Sequence, residues 1–272
     1  MTTESTAVPS QYGTGSTRER IEQALTEAGH SLDSLTPDQL AMLEHFHVSG
    51  PLATASLLDL LAVKAEDRVL DAGTGIGGTA RYVAQKYGSK VTAIDLTPEY
   101  VVAAQWLNEA VGLSELIEAR EADVTSLPFA DESFDVVVSQ HVQMNIADKA
   151  KLYAEAFRVL APGGRLGIWD VTAGPIQPLT FPVPWADSAE VSHLATPDEL
   201  RETVVGAGFE VEAWNDLTQS NGEFMRAIMA GPPSPLGLGV FVPEFPTKLT
   251  NLVDALEQDK ARLIQGVLVK RA

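Results

Sequence analysis

The alternation of apolar and polar positions changes character near Asp67. Before it, helices open on capping signals. Ser16 followed by Glu19 reads as a capping box for a helix reaching about residue 28, and Thr36-Pro37-Asp38-Gln39 opens a second helix. From Asp67 onward, short β-prone runs alternate with helix-patterned stretches. The pattern predicts strands over 68–71, 91–95, 116–121, 134–139, 165–170, 209–214 and 266–270. Between them it predicts helices over 78–87, 98–111, 148–160 and 197–206, with Pro162-Gly163-Gly164 stopping the third. Thr97-Pro98 and Thr196-Pro197 repeat the Thr-Pro opening of Thr36-Pro37. The run from Phe134 to Ser139 is apolar apart from Asp135 and the terminal Ser139, as a strand covered on both faces would be. This β-α alternation predicts an α/β fold built on a parallel sheet with right-handed crossovers.

Two stretches interrupt the rhythm: a Pro-rich segment at 172–195, and 216–264 with two helical patterns. They are expected to form a lid over the carboxyl edge of the sheet, where open α/β sheets hold ligands. The expected organisation is a mobile tail at 1–16, a helical cap at 17–60, and one domain over 61–272 carrying both lid insertions.

Charge then narrows the function. Among 272 residues, 37 acidic side chains face 19 Lys and Arg, a formal net charge of −18. That balance disfavours nucleic acid and anionic membrane surfaces, which need basic stripes. The absence of cysteine excludes disulfides and thiolate chemistry. No apolar run is long enough to cross a membrane, and the start lacks the basic and apolar regions of a signal peptide, so a cytoplasmic protein is expected. No Asp, Glu and His cluster has ligand spacing, so no metal is expected. The expected partners are a small-molecule substrate and, as an option, a second copy of the chain.

The chemistry centres on Asp71-Ala72-Gly73-Thr74-Gly75-Ile76-Gly77-Gly78, a turn between a predicted strand and helix. It satisfies both GxGxG and the GxGxxG of dinucleotide binders. Asp71, two residues before Gly73, would repel a pyrophosphate and attract a cation. An adenosine-containing cofactor with a sulfonium and an ammonium but no phosphate, S-adenosylmethionine, suits that charge. Asp95 closes the second strand, placed to grip ribose hydroxyls, and Asp123 follows the third, placed to accept from an adenine amino group.

The runs VLDAGTGIGG, AIDLTPEY, EADVTSLPFADESFDVVVSQ and RVLAPGGRLGIWDV resemble, in order and spacing over residues 67–171, the motifs of class I S-adenosylmethionine-dependent methyltransferases. Within that class the chain is similar to small-molecule enzymes related to glycine/sarcosine/dimethylglycine and ubiquinone/menaquinone methyltransferases. The resemblance implies a Rossmann-like, mostly parallel seven-stranded sheet with helices on both faces, its last strand antiparallel. It also implies methyl transfer by in-line displacement. By the same analogy Asp71, Gly73, Thr74, Gly75, Asp95, Leu96, Asp123, Val124 and Gln140 would hold the cofactor.

His141, just past the fourth strand, is the candidate general base, since imidazole titrates near neutrality. His45 and His47 end a helix on different faces; one is expected to cap it and the other to line the pocket. His47, Trp185 and His193 are the expected substrate contacts. Phe46, Phe224 and Met225 are further apolar lid residues, suited to a hydrophobic or aromatic metabolite. Two other readings stay open on the residues alone: an NAD(P)-dependent oxidoreductase using the GxGxxG spacing, and a non-catalytic module that binds S-adenosylmethionine to regulate a partner.

Overall fold

The computed structural model describes residues 15–232 and 234–271. The expected tail therefore lies, up to residue 14, outside the described residues. Seven strands form one sheet in the order β3-β2-β1-β4-β5-β7-β6. They are β1 (Arg68–Ala72), β2 (Lys90–Asp95), β3 (Ile117–Glu121), β4 (Phe134–Gln140), β5 (Leu160–Ala173), β6 (Glu210–Asp216) and β7 (Ala261–Val269). Strands β1 to β5 pair in parallel. Strand β7 runs antiparallel between β5 and β6, so the last strand in sequence is antiparallel but does not lie at the edge. Strand order reverses between β1 and β4, which opens a crevice beyond their carboxyl ends.

Helices cover both faces. The expected cap region, residues 17–60, holds α1 (Thr17–Glu27), α2 (Pro37–Glu44) and α3 (Gly50–Leu61), and the last of these packs on the sheet itself rather than over its edge. Within the sheet region come α4 (Gly78–Tyr87), α5 (Pro98–Ala110), α6 (Lys149–Val159), α7 (Pro197–Gly206), α8 (Thr218–Met229) and α9 (Phe245–Glu257). One face of the sheet packs Leu70, Val137 and Leu166 against α6 and α7. The other packs Val69, Val136 and Val138 against Leu57, Leu61, Ala80 and Val83. The alternation of Val136, Val137 and Val138 between these clusters is why β4 reads as uninterrupted hydrophobic sequence.

Several local expectations shift. Ser16 occupies the N-cap of α1, but its hydroxyl accepts from Arg20 Nε at 3.0 Å, without the expected capping box. Thr36 and Gln39 do form one: the Thr36 N–H donates to Gln39 Oε1 at 2.8 Å. The helix α6 passes directly into β5 at Leu160, so Pro162-Gly163-Gly164 lies inside the strand and does not separate two elements. There the register between β4 and β5 slips, from Phe134↔Leu160 to Val136↔Arg165, and Gly163 takes φ 79° to pass the irregularity. The last strand starts at Ala261, five residues before the expected position, so the segment outside the sheet between β6 and β7 is 217–260. Among the described residues no helix is long and apolar enough to cross a membrane.

Candidate active site

The carboxyl ends of β1, β2, β3 and β4 converge on an open cleft of about 850 Å³. Its floor is the glycine turn. Gly73 and Gly75 have φ 85° and 55°, left-handed values that L side chains rarely adopt. A Cβ on Gly73 would stand 2.3 Å from Val142 Cγ2, so the turn lies tight against the segment after β4. A Cβ on Gly75 would meet nothing within 4 Å and would project into open space.

Acids ring this floor. Asp71 is 3% exposed and accepts from Thr74 Oγ1 at 2.5 Å. Burial raises its pKa to about 6, against the opposing Thr74 hydrogen bond. Asp95 accepts the Gly75 N–H at 2.8 Å and the Thr97 N–H at 2.9 Å, and burial pushes it up too. Asp123 Oδ1 is held by the Thr125 N–H and hydroxyl, at 2.8 and 2.7 Å. Carboxylates gathered in a cleft in this way gain from an incoming cation.

The opposite wall comes from the cap and the segment after β4. Glu44, at the end of α2, is joined to Arg81 of α4 by the Nε and Nη2 donors, at 2.8 and 2.6 Å. His45 terminates α2 and is buried, whereas His47 lines the cleft. His47 Nδ1 lies 3.3 Å from the Val48 carbonyl, which can only accept, so the ring carries its proton there. His47 Nε2 is then the acceptor facing Thr54 Oγ1 at 3.1 Å. The His141 ring sits 6.0 Å from that of His47. His141 has φ 56°, and its N–H donates to the Trp169 carbonyl at 2.8 Å. The next N–H, of Val142, donates to buried Asp170 at 2.9 Å. Burial, with His47 adding, holds the His141 pKa well below 6.5, so the ring is neutral at neutral pH and does not titrate where a free imidazole would.

Two buried nitrogens here lack a protein partner: Gln140 Nε2 and His141 Nε2. The amide of Gln140 is held through its oxygen by Thr79 Oγ1 at 2.9 Å, which leaves its NH₂ for a ligand.

All nine residues expected to hold the cofactor line this cleft, as do His47 and His141. Trp185 and His193 are not among its lining residues. Trp185 is 1% exposed in a cluster with Val171, Val183, Leu252 and Leu256, and its Nε1 donates to Ser192 at 3.0 Å; it is a core plug. His193 engages through its backbone, its N–H donating to the Met144 carbonyl at 2.8 Å. Phe224 and Met225 also stay outside the lining, whereas Phe46 belongs to it. The 217–260 segment instead backs the cleft from behind: Phe241 lies 6.3 Å from Phe46 and 5.9 Å from Tyr100, ring to ring. Tyr100, Thr79, Ala122, Asn145 and Ile146 line the cleft without having been singled out as contacts. Thr79 and Tyr100 each lie in the first turn of a helix that follows a carboxyl strand end, the signal that points to them.

A methyltransferase-domain family matches residues 70–168. The chain is 35% identical over 150 residues to a sarcosine/dimethylglycine N-methyltransferase of Halorhodospira halochloris, covering 55% of this chain and 54% of that protein. It is 36% identical over 129 residues to a phosphoethanolamine N-methyltransferase of Zea mays, covering 47% of this chain and 25% of that one. The chain thus spans about half, or less, of the length of these relatives. Among solved structures, a geranyl diphosphate C-methyltransferase from Streptomyces coelicolor A3(2) superposes with a TM-score of 0.72 at 15% identity, covering 99% of this chain and 98% of that one, a likeness of fold.

Proposed function

Residues 70–168 are a class I S-adenosylmethionine-dependent methyltransferase domain, and on that premise we propose that this chain methylates a small, largely apolar acceptor in the cleft at the carboxyl edge of its sheet. The observation that carries the reading is the floor of the cleft. An open space over Gly75 is ringed by Asp71, Asp95 and Asp123, with the unpartnered Gln140 amide beside it. A dinucleotide would bring a pyrophosphate against these acids, which weighs against the oxidoreductase alternative.

Bound there, S-adenosylmethionine supplies a methyl group already activated on a sulfonium. Asp95 would accept from ribose hydroxyls, Leu96 and Val124 would flank the base, and Asp123 would accept from its amino group. Asp71 and Thr74 would answer the cationic end, and Gln140 Nε2 the carboxylate of the amino-acid end. Because the leaving group needs no assistance, the chain's main contribution is alignment of the acceptor.

His141 is suited to that task in a different way from the one its residue type suggests. With its pKa lowered, it is a weak base but stays neutral, and its unpartnered Nε2 would orient the acceptor group by a hydrogen bond. His47, its acceptor nitrogen already answered by Thr54, would act as packing surface with Phe46, Val142 and Ile146. The lid role passes to the cap and to the Phe241 region behind it. Titration of the cofactor, with NAD as control, followed by incubation with methyl-labelled cofactor and fractionated metabolites, tests the reading. Binding of NAD alone would overturn it.

A further inference from the structure

The charge inside the cleft constrains the acceptor further; this inference rests on the transferase reading. Glu44, Asp71, Asp95 and Asp123 line the cleft, and among the described residues that do so none is Lys or Arg. Residues 1–14 contain no Lys or Arg either. Two cations lie behind the walls, and both are engaged. Arg81 is fully buried and spends its donors on Glu44, on Asn108 Oδ1 at 2.8 Å and on the Ile76 carbonyl at 2.7 Å. Lys149 Nζ donates to the carbonyls of Ile146 and His193. The imidazoles cannot substitute. Burial lowers His47 to about 4 and His141 well below 6.5, so neither is cationic at neutral pH. The orphan donor on the floor, Gln140 Nε2, is the one assigned to the cofactor's own carboxylate.

A phosphate or carboxylate entering such a site would lose its water without gaining a guanidinium or ammonium, and would face fixed carboxylates at short range. We propose that the acceptor carries no phosphate, sulfate or carboxylate group, and is an organic molecule without anionic groups held by Phe46, Val142 and Ile146 and oriented by His141. The cleft thereby selects by charge: its acids attract the cationic cofactor and turn away anionic metabolites.

The test uses the full chain in three measurements. Binding of S-adenosylmethionine is first established by titration. Methyl-labelled cofactor is then incubated with a total metabolite extract, and the labelled product is purified and its functional groups are read by mass spectrometry. Sarcosine, phosphoethanolamine, geranyl diphosphate and inorganic pyrophosphate are added separately, at constant ionic strength, as competitors of that reaction. A labelled product free of phosphate, sulfate and carboxylate, with less than about twofold inhibition by the anions at concentrations tenfold above the acceptor's KM, supports the proposal. A labelled product bearing one of those groups, or competition by the anions against the acceptor, overturns it and leaves the transferase reading standing. Cofactor binding with no label transferred from any fraction overturns the transferase reading, and the proposal falls with it.

Discussion

Replacing Arg81 with Met should destabilise the chain by about 3–5 kcal/mol, the range for breaking a buried ion pair from one side. Arg81 is 0% exposed and Glu44 6%, and the methionine would fill much of the vacated volume while leaving the carboxylate without its cation. The same change removes a donor from Asn108 and from the Ile76 carbonyl in the glycine turn. Unfolding entropy of about 2.1 cal/mol/K per residue gives a chain of this length about 0.6 kcal/mol/K, so the loss corresponds to a fall of about 5–9 °C in Tm. Thermal unfolding followed by circular dichroism measures it. Adding Glu44→Gln to Arg81→Met removes the stranded charge, and should recover at least half of the lost stability. A Tm within about 2 °C of the parent for Arg81→Met, or a double variant no better than the single, would refute the view that an uncompensated Glu44 sets the cost.

Other expectations concern the cleft. Gly75→Val should still fold, with Tm lowered by about 2–4 °C because the left-handed φ of 55° costs about 1–2 kcal/mol, but lose cofactor binding in calorimetry, because its side chain projects into the space over the turn. Cofactor affinity should weaken as pH falls through about 6: burial raises Asp71 to that value, so it is ionised and attractive to a cation above it and neutral below it. Asp71→Asn should flatten that dependence, and a flat parental profile between pH 7 and 5 would contradict the assignment. His141→Ala should lower kcat about 100-fold through misalignment of the acceptor while leaving cofactor Kd within a few-fold, and the parental rate should show no ionisation of His141 near 6.5.

The strands and the glycine turn were legible in the sequence because each is specified locally, by a short apolar run and by the residues a tight turn requires. The acids of the site were legible for a related reason: Asp71, Asp95 and Asp123 sit at or just beyond strand ends, and parallel pairing brings those ends to one edge. Pairings across long separations were not. Nothing near Arg81 announces Glu44, 37 residues earlier, and the ion pair exists only because α2 packs against α4. Trp185 fits a pocket wall and a core equally well by composition; packing against Leu252 and Leu256 decided for the core. The position of β5 was obscured because Pro162-Gly163-Gly164 is a good helix stop and an equally good bulge, and only the partner strand distinguishes the two. His141 was found by its place after β4, but its lowered pKa depends on burial and then on His47, which the local sequence does not encode.

The left-handed backbone at His141 has a consequence for selection. A non-glycine residue at φ 56° costs about 1 kcal/mol or more relative to glycine, and here the hydrogen bonds to Trp169 and Asp170 hold the chain in that conformation. His141→Gly should therefore raise Tm while lowering turnover. A library screened for thermostability alone would drift toward glycine at this position, and the function would be lost from the most robust members. Under the proposed orienting role of His141, lineages that keep the enzyme active would have to resist a stabilising change within easy reach, and stability and activity would be selected in opposite directions at this position.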